Sequence, residues 1–461
     1  MDLFRIPGLK SIYKNRWFPL VPQIIALICF GLLVYGGIGI TTDDSDFAKT
    51  LRNTNLANLI VWSYWWPLII IFAVLAGRHW CTICPMELVT TVMGKAGLRL
   101  KPGRFLKSGW VMTLSYGIIL LVGIHTFAIH RIPDRMAIYM LALLGVAILA
   151  GLIWEKRTFC THICPVGHLL GLYSLLSATE WRSRSQEVCK ACKTKECVAE
   201  KRLYHLTARS CTSDIYPGNI QDNRKCILCS QCLSACPKDN LTLRLRKPLA
   251  DLFADIKLSS AELGFLVVVS GFVVYEILSE WSVTKGLLLA LPASFSTQLG
   301  ITGIWTGTTN ALLLFVLFPL VFVGLFGGIR KIVSGEPFKH ALSAIVLALL
   351  PVMAAMHLLK SMLKMTSRLP YLSHALNDPK GIKTANMLVN GSLLLDKTAV
   401  QVLQPFITGV AILLPLAGWT LSLWVMLRHQ GQRSIVKAIT LAAVLVYAGL
   451  FEASILFWRV W

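Results

Sequence analysis

Charge is scarce in this sequence, and acidic charge scarcer still. Asp, Glu, Lys and Arg make up 15% of 461 residues, where an ordinary soluble chain carries about a quarter. Only 23 residues are acidic against 45 basic ones, a formal net charge of +22. A water-soluble assembly of several domains is therefore excluded as the main architecture. Cysteine is almost absent outside one stretch: of 13, all but Cys29 lie between Cys81 and Cys236. Walker A, GxGxxG and CxxCH patterns are missing too. No signature is left for phosphate cradling, dinucleotide binding or covalent haem attachment.

What fills the chain instead is apolar: 55% of residues are hydrophobic and the mean hydropathy is +0.63. Runs near 17–40, 59–77, 109–130, 136–154, 260–281, 305–328, 341–363, 403–427 and 438–458 predict about nine bilayer-crossing helices. The first run follows Arg5, Lys10, Lys14 and Arg16. It is too long for the core of a signal peptide and is read as a span. Cys29 lies inside it and is read as a packing residue. Basic residues gather on alternate loops: Arg78, Lys95, Arg99, Lys101, Arg104 and Lys107, then Arg330, Lys331 and Lys339, then Arg428, Arg433 and Lys437. The outer loop 364–402 is also basic, but long loops escape the charge rule. Since positive loops stay inside, the N-terminus and segment 155–259 are expected on the cytoplasmic side of a bacterial inner membrane. This topology accounts for the basic excess, so nucleic acid is not expected as a partner.

Disulfides are rare in reducing compartments, so the clustered cysteines point to metal or redox chemistry. Cys226-Ile-Leu-Cys229-Ser-Gln-Cys232-Leu-Ser-Ala-Cys236-Pro237 spells C-x2-C-x2-C-x3-C-P, the bacterial ferredoxin run. Three thiolates on adjacent turns reach three corners of one [4Fe-4S] cube, and the fourth serves a second cube. Upstream stand Cys189, Cys192 and Cys197, spaced C-x2-C-x4-C, and then Cys211. The expected exchange groups Cys189, Cys192, Cys197 and Cys236 on one cluster, and Cys211, Cys226, Cys229 and Cys232 on the other. The longer third interval and the missing proline after Cys211 keep open a spare thiol and an incomplete upstream site. Zinc, the rival metal, usually pairs CxxC with a distant CxxC or His pair.

An internal repeat adds four more thiols. The second span ends in Gly77-Arg78-His79-Trp80-Cys81-Thr82-Ile83-Cys84-Pro85, and the fourth in Arg157-Thr158-Phe159-Cys160-Thr161-His162-Ile163-Cys164-Pro165. Each Cys-Pro opens a short apolar helix, its proline suited to the first turn. Cys81, Cys84, Cys160 and Cys164 are thus a candidate third iron–sulfur site. A dithiol relay and structural cysteines are the alternatives.

Ionisable residues within spans are costly and often functional. His357 and Lys360 share a helix face and are candidate quinone ligands. His125 and His130 are candidate haem ligands with His357. The bland alternative has Lys360 reaching the outer interface and His357 packing. Trp62, Tyr64, Trp65 and Trp66 fit an interfacial belt better than a cofactor box. Thr306-Gly307-Thr308-Thr309 has a faint likeness to flavin attachment sites but no flavin domain around it.

The two Cys-Pro units with the ferredoxin run resemble the membrane-bound polyferredoxin-type proteins. Among these are the quinol-oxidising membrane subunit of periplasmic nitrate reductase systems, the nitrous oxide reduction regulator and the cytochrome oxidase assembly polyferredoxin. Asn58 to Pro67 and Arg78 to Pro85 are similar to that group's second span, and the likeness covers roughly 17–245. The group shows C-x3-C-P twice; here the second unit fits and the first is one residue shorter. The resemblance implies electron transfer between the quinone pool or a cytoplasmic donor and an acceptor.

The expected architecture is an all-α polytopic membrane protein with a small cytoplasmic two-cluster ferredoxin-like module inserted between helices four and five. Residues 1–180 would form a four-helix membrane domain, 181–259 the module, and 260–461 a five-helix membrane domain. The expected function is a membrane electron-transfer subunit in contact with lipid, quinone and a redox partner. Lys190, Lys193, Lys195, Lys201, Arg202, Arg224 and Lys225 would meet an acidic partner or anionic lipid. The rival class is a metallocentre assembly or regulatory factor. A transporter, the third class, has no motif in its favour.

Overall fold

The computed structural model describes residues 1–254, 256–428 and 433–459. Long apolar runs can satisfy their backbone polar groups without water only by closing on themselves as helices. Eight helices among the described residues are long and apolar enough to cross a membrane. They are α1 (Leu20–Gly37), α2 (Leu56–Ala76), α3 (Pro133–Ile153), α4 (Ser260–Leu278), α5 (Trp305–Ser334), α6 (Phe338–Ser367), α7 (Thr398–Leu427) and α8 (Ser434–Arg459). Ile28 and Leu32 of α1, Leu149 of α3 and Val321 of α5 are exposed, as side chains facing lipid must be. Cys29 is exposed on α1 as well, so it is not the packing residue expected.

The run 109–130 differs from expectation. Its helix is Trp110–Ile124, about 22 Å at 1.5 Å per residue, short of the roughly 30 Å hydrocarbon core. The N–H groups of Thr126 and Phe127 both fold back onto the carbonyl of Val122, and Ala128 takes a left-handed φ of 49°. His125 caps this helix and His130 lies beyond it, so both stand past its last helical residue.

The chain divides into two compact units, 1–35 with 69–112 and 137–254, and 36–68 with 113–136 and 255–461. In the first unit β1 (Thr179–Ser183) pairs antiparallel with β2 (Leu241–Leu245), Trp181 opposite Leu243. The N-terminal ammonium donates to the Leu245 carbonyl at 2.8 Å, and Lys10 and Lys14 pair with Asp239. Phe4, Tyr13, Trp181, Leu233, Leu241 and Leu243 form one core together with Cys226 and Cys232. The ferredoxin run is therefore sewn into a hydrophobic core. In the second unit α6 is the most enclosed of the eight helices. A Cβ on Gly418 of α7 would come 2.9 Å from the Ala355 side chain and 3.0 Å from Val352 Cα of α6; only glycine allows that approach.

Candidate metal centres

The two repeats differ by one residue, and the backbone absorbs the difference. His79–Ile83 is an α-helical turn, while Phe159–Ile163 is a π-helical turn, which takes up one extra residue. Both Cys-Pro steps then match: Cys84 (φ −63°, ψ 130°) and Cys164 (φ −70°, ψ 111°) are extended caps with proline at the first helical positions of Pro85–Ala96 and Pro165–Tyr173. The Cys164 sulfur accepts the Gly167 N–H at 3.4 Å, so this thiol sits where a helix dipole favours negative charge.

The four thiols of the two Cys-Pro repeats are near enough to act on one another by charge. Burial, then the charges of Cys160, Cys81 and Cys164, push the Cys84 thiol far up. Cys160 is pushed to about 12 and Cys164 to about 11, burial being the largest cause in each. A second quartet forms in the loop region: burial first, then Cys236, Cys189 and Cys192, raise the Cys197 thiol to about 11. Cys192, near the surface, is lowered by the Lys195 N–H and then by the Thr194 hydroxyl. The Cys189 sulfur accepts from the Asn240 amide at 3.1 Å. In the third quartet, burial and then Cys211, Cys229 and Cys226 push Cys232 far up, and Cys226 rises to about 12.

By mutual charge the thiols link as Cys81, Cys84, Cys160 and Cys164; as Cys189, Cys192, Cys197 and Cys236; and as Cys211, Cys226, Cys229 and Cys232, with Cys29 in none of the three. Metal binding would take up the charge of such neighbouring thiols by releasing their protons. Among the described residues no three His, Cys, Asp or Glu side chains gather closely enough for a single metal ion. A tetrathiolate set with the fourth ligand supplied from outside the C-x2-C-x2-C loop is the donor chemistry of a [4Fe-4S] group. The local backbone agrees: Leu228 and Ser230 take left-handed φ values of 61° and 57° on either side of Cys229. Such turns aim N–H groups inward as an anion-binding nest.

Sequence reading missed the buried charges between the first and third quartets. Glu87, 1% exposed, pairs with Arg209 and lies 4.0 Å from Arg157 Nε. Gln23 also donates to its carboxylate, at 2.5 Å. Burial pushes the Glu87 carboxyl up, but Arg209 and then Arg157 outweigh it and hold the group below its ordinary value near 4.5. Its contribution to stability is therefore complete above that value and fades as pH falls through the lower folded one. Glu87→Gln leaves two buried guanidiniums uncompensated and is expected to cost about 3–5 kcal/mol. Thermal unfolding in detergent checks this, and Glu87→Gln with Arg209→Met should recover most of the loss.

The residues expected to meet quinone or haem lie in the second unit, and the basic segment in the first. His357, buried, packs against Trp66 and Phe272 with ring centres 6.2 and 6.1 Å away. Lys360 donates to the Glu276 carbonyl at 3.0 Å and pairs with the carboxylates of Glu276 and Glu280. It is an ion-paired group and not a free snorkelling lysine. His125 packs on Tyr275 and Phe315, and His130 on Trp62. The Arg131 Nε lies 3.2 Å from His130 Nε2. Of the basic segment, Arg202 and Lys201 are held by Glu196, and Arg224 by Asp222; Lys190, Lys193, Lys195 and Lys225 are exposed.

Residues 58–104 and 136–185 match the 4Fe-4S binding domain family, one match on each Cys-Pro repeat. The "Putative electron transport protein YccM" of Escherichia coli (strain K12) is 24% identical over 238 residues, 45% of this chain and 63% of that protein. An uncharacterized protein of Methanocaldococcus jannaschii is 25% identical over 182 residues, 38% of this chain and 67% of that one. The chain thus spans less than two thirds of the Escherichia coli relative. No solved structure gives a significant match. These likenesses bear out the resemblance to membrane-type iron–sulfur electron-transfer proteins.

Proposed function

We propose that this chain is a membrane electron-transfer subunit holding three [4Fe-4S] clusters. Cys81, Cys84, Cys160 and Cys164 would bind the first, Cys189, Cys192, Cys197 and Cys236 the second, and Cys211, Cys226, Cys229 and Cys232 the third. The observation that carries this reading is the sorting of twelve thiols into three quartets. When bound, such groups supply one-electron steps at potentials set by their charge and hydrogen bonds. The chain's own part is to hold them apart from water and to aim N–H donors at their sulfurs, as Gly167 and Asn240 do. Residues 181–259 serve as the cytoplasmic module, flanked by the membrane regions 1–180 and 260–461. The basic loops support this orientation in an inner membrane. The exposed lysines 190, 193, 195 and 225 suit an acidic redox partner.

Quinone is the proposed membrane-side reactant. Its head group needs hydrogen-bond donors and a proton path, and His357 with the Lys360–Glu276–Glu280 set supplies both. The test uses anaerobically purified protein in lipid. Iron and acid-labile sulfide near twelve of each per chain are expected, with paramagnetic signals that respond to added quinol. Labile sulfide absent from undamaged material would overturn the cluster reading. Clusters present but silent toward quinol would remove the quinone and favour an assembly or regulatory role.

A further inference from the structure

We propose that Arg78 and Arg157, one from each Cys-Pro repeat, are paired cationic bridges that set the reduction potential of the cluster on Cys81, Cys84, Cys160 and Cys164. They act together on the side facing the cluster of Cys211, Cys226, Cys229 and Cys232. The inference rests on the iron–sulfur reading above.

Each arginine stands three residues before the first cysteine of its repeat. An arginine at that distance from a membrane helix would ordinarily turn to water. Both are instead buried, Arg78 at 7% and Arg157 at 2% exposure. Arg78 Nη2 lies 3.6 Å from the Cys81 sulfur, and its Nη1 donates to the Arg224 carbonyl at 2.6 Å. Arg224 is two residues before Cys226, so one guanidinium reaches from the first quartet to the backbone leading into the third. Arg157 does the same by charge: Cys160 of the first quartet and Cys229 and Cys211 of the third all act on it. Its Nη2 donates to Ser213, two residues after Cys211.

The packing preserves this bridge. Two glycines of Pro165–Tyr173 make room for Arg78: a Cβ on Gly167 would lie 3.1 Å from Arg78 Nη2, and one on Gly171 2.7 Å from the Arg224 carbonyl. The charges do not cancel. Arg78 has no carboxylate partner among the described residues, and the Glu87 carboxylate is shared between Arg157 and Arg209. Some donors are also unspent. Arg78 Nε, Arg157 Nε and Arg157 Nη1 are buried without a hydrogen-bond partner among the described residues. Leaving such donors bare costs free energy, and an anionic sulfur-rich group beside them is the acceptor that would satisfy them.

A bound tetrathiolate cluster is negatively charged, and reduction adds one more negative charge. A nearby guanidinium in a low-dielectric setting stabilises the reduced state more than the oxidised one. Removing it should lower the potential. Arg157→Gln is expected to shift electron occupancy between the first-quartet cluster and the Cys211 cluster at least tenfold, about 59 mV for one electron. Arg78→Gln should move the same cluster in the same direction. Arg157→Lys keeps the charge and should restore most of the shift.

The measurement is a potentiometric titration followed by paramagnetic resonance on full-length protein in lipid, with iron and labile sulfide assayed in parallel. Full iron with unmoved potentials in both glutamine variants would overturn the proposal. Loss of the cluster in all three variants, lysine included, would also overturn it, by making the arginines structural only. Wild-type protein without cluster signals would sink the iron–sulfur reading itself, a separate failure.

Discussion

Replacing Cys232 with serine should lower the iron content of anaerobically purified protein from about twelve to about eight per chain. One set of paramagnetic signals should disappear with it. Cys232 is buried in the core that also contains Trp181, Leu233 and Leu241, and its quartet draws Cys211 from outside the ferredoxin run. A serine oxygen is a poorer ligand for iron than a thiolate, and burial prevents water from taking its place. The consequences extend past the metal. The module has one two-stranded sheet, and two short strands are marginal on their own. On the proposed reading, cluster binding would be a large share of its folding free energy, and Cys232→Ser should expose 181–245 to limited proteolysis. Cys29→Ala is the control: that thiol is exposed on α1 and its loss should leave iron and signals unchanged. Undiminished iron in Cys232→Ser would remove this residue from the ligand set.

The iron–sulfur character was legible because the cysteine spacing that signals it is local. C-x2-C-x2-C places three sulfurs within reach of one group whatever surrounds them, and only the fourth ligand must be found elsewhere. The spans were legible for a similar reason: about twenty apolar residues have few alternatives to a helix. The helix end after Ile124 was placed several residues late, because Phe127, Ala128 and Ile129 carry the apolar run past it. The π-helical turn at Phe159–Ile163 was hidden too. An extra residue between cysteines can loop out or widen a helical turn, and only the shared position of the two Cys-Pro caps decides. The buried Glu87–Arg209 pair joins residues 122 positions apart, and no periodicity encodes such a pairing. The same holds for Lys360: its sequence neighbours suggest a lysine reaching for the interface, but its carboxylate partners are on and just beyond α4, 84 and 80 residues earlier.

Those partners change what substitution of Lys360 should do. Lys360→Ala is expected to reduce quinol-driven cluster reduction about 100-fold, the scale of a lost positioned proton donor or acceptor, with iron content unchanged. It should also destabilise, because the ion-pair partner left to Glu276 among the described residues is Lys364, 3.8 Å away. Breaking a fully buried pair costs 3–5 kcal/mol; the partial exposure of Lys360 and Glu276, 14% and 22%, reduces the expected loss to about 2 kcal/mol. A slow and unstable variant alone would not separate chemistry from scaffolding. The double variant Glu276→Gln with Lys360→Met does, since it removes both charges of the more buried pair and leaves Glu280, 30% exposed, to water. If the pair is only a clamp between α4 and α6, thermal stability and quinol turnover should recover together. If it moves protons or holds the head group, stability should return while turnover stays low. Recovery of both would take Lys360 and Glu276 out of the quinone chemistry and leave His357, between Trp66 and Phe272, as the one remaining candidate on that helix face.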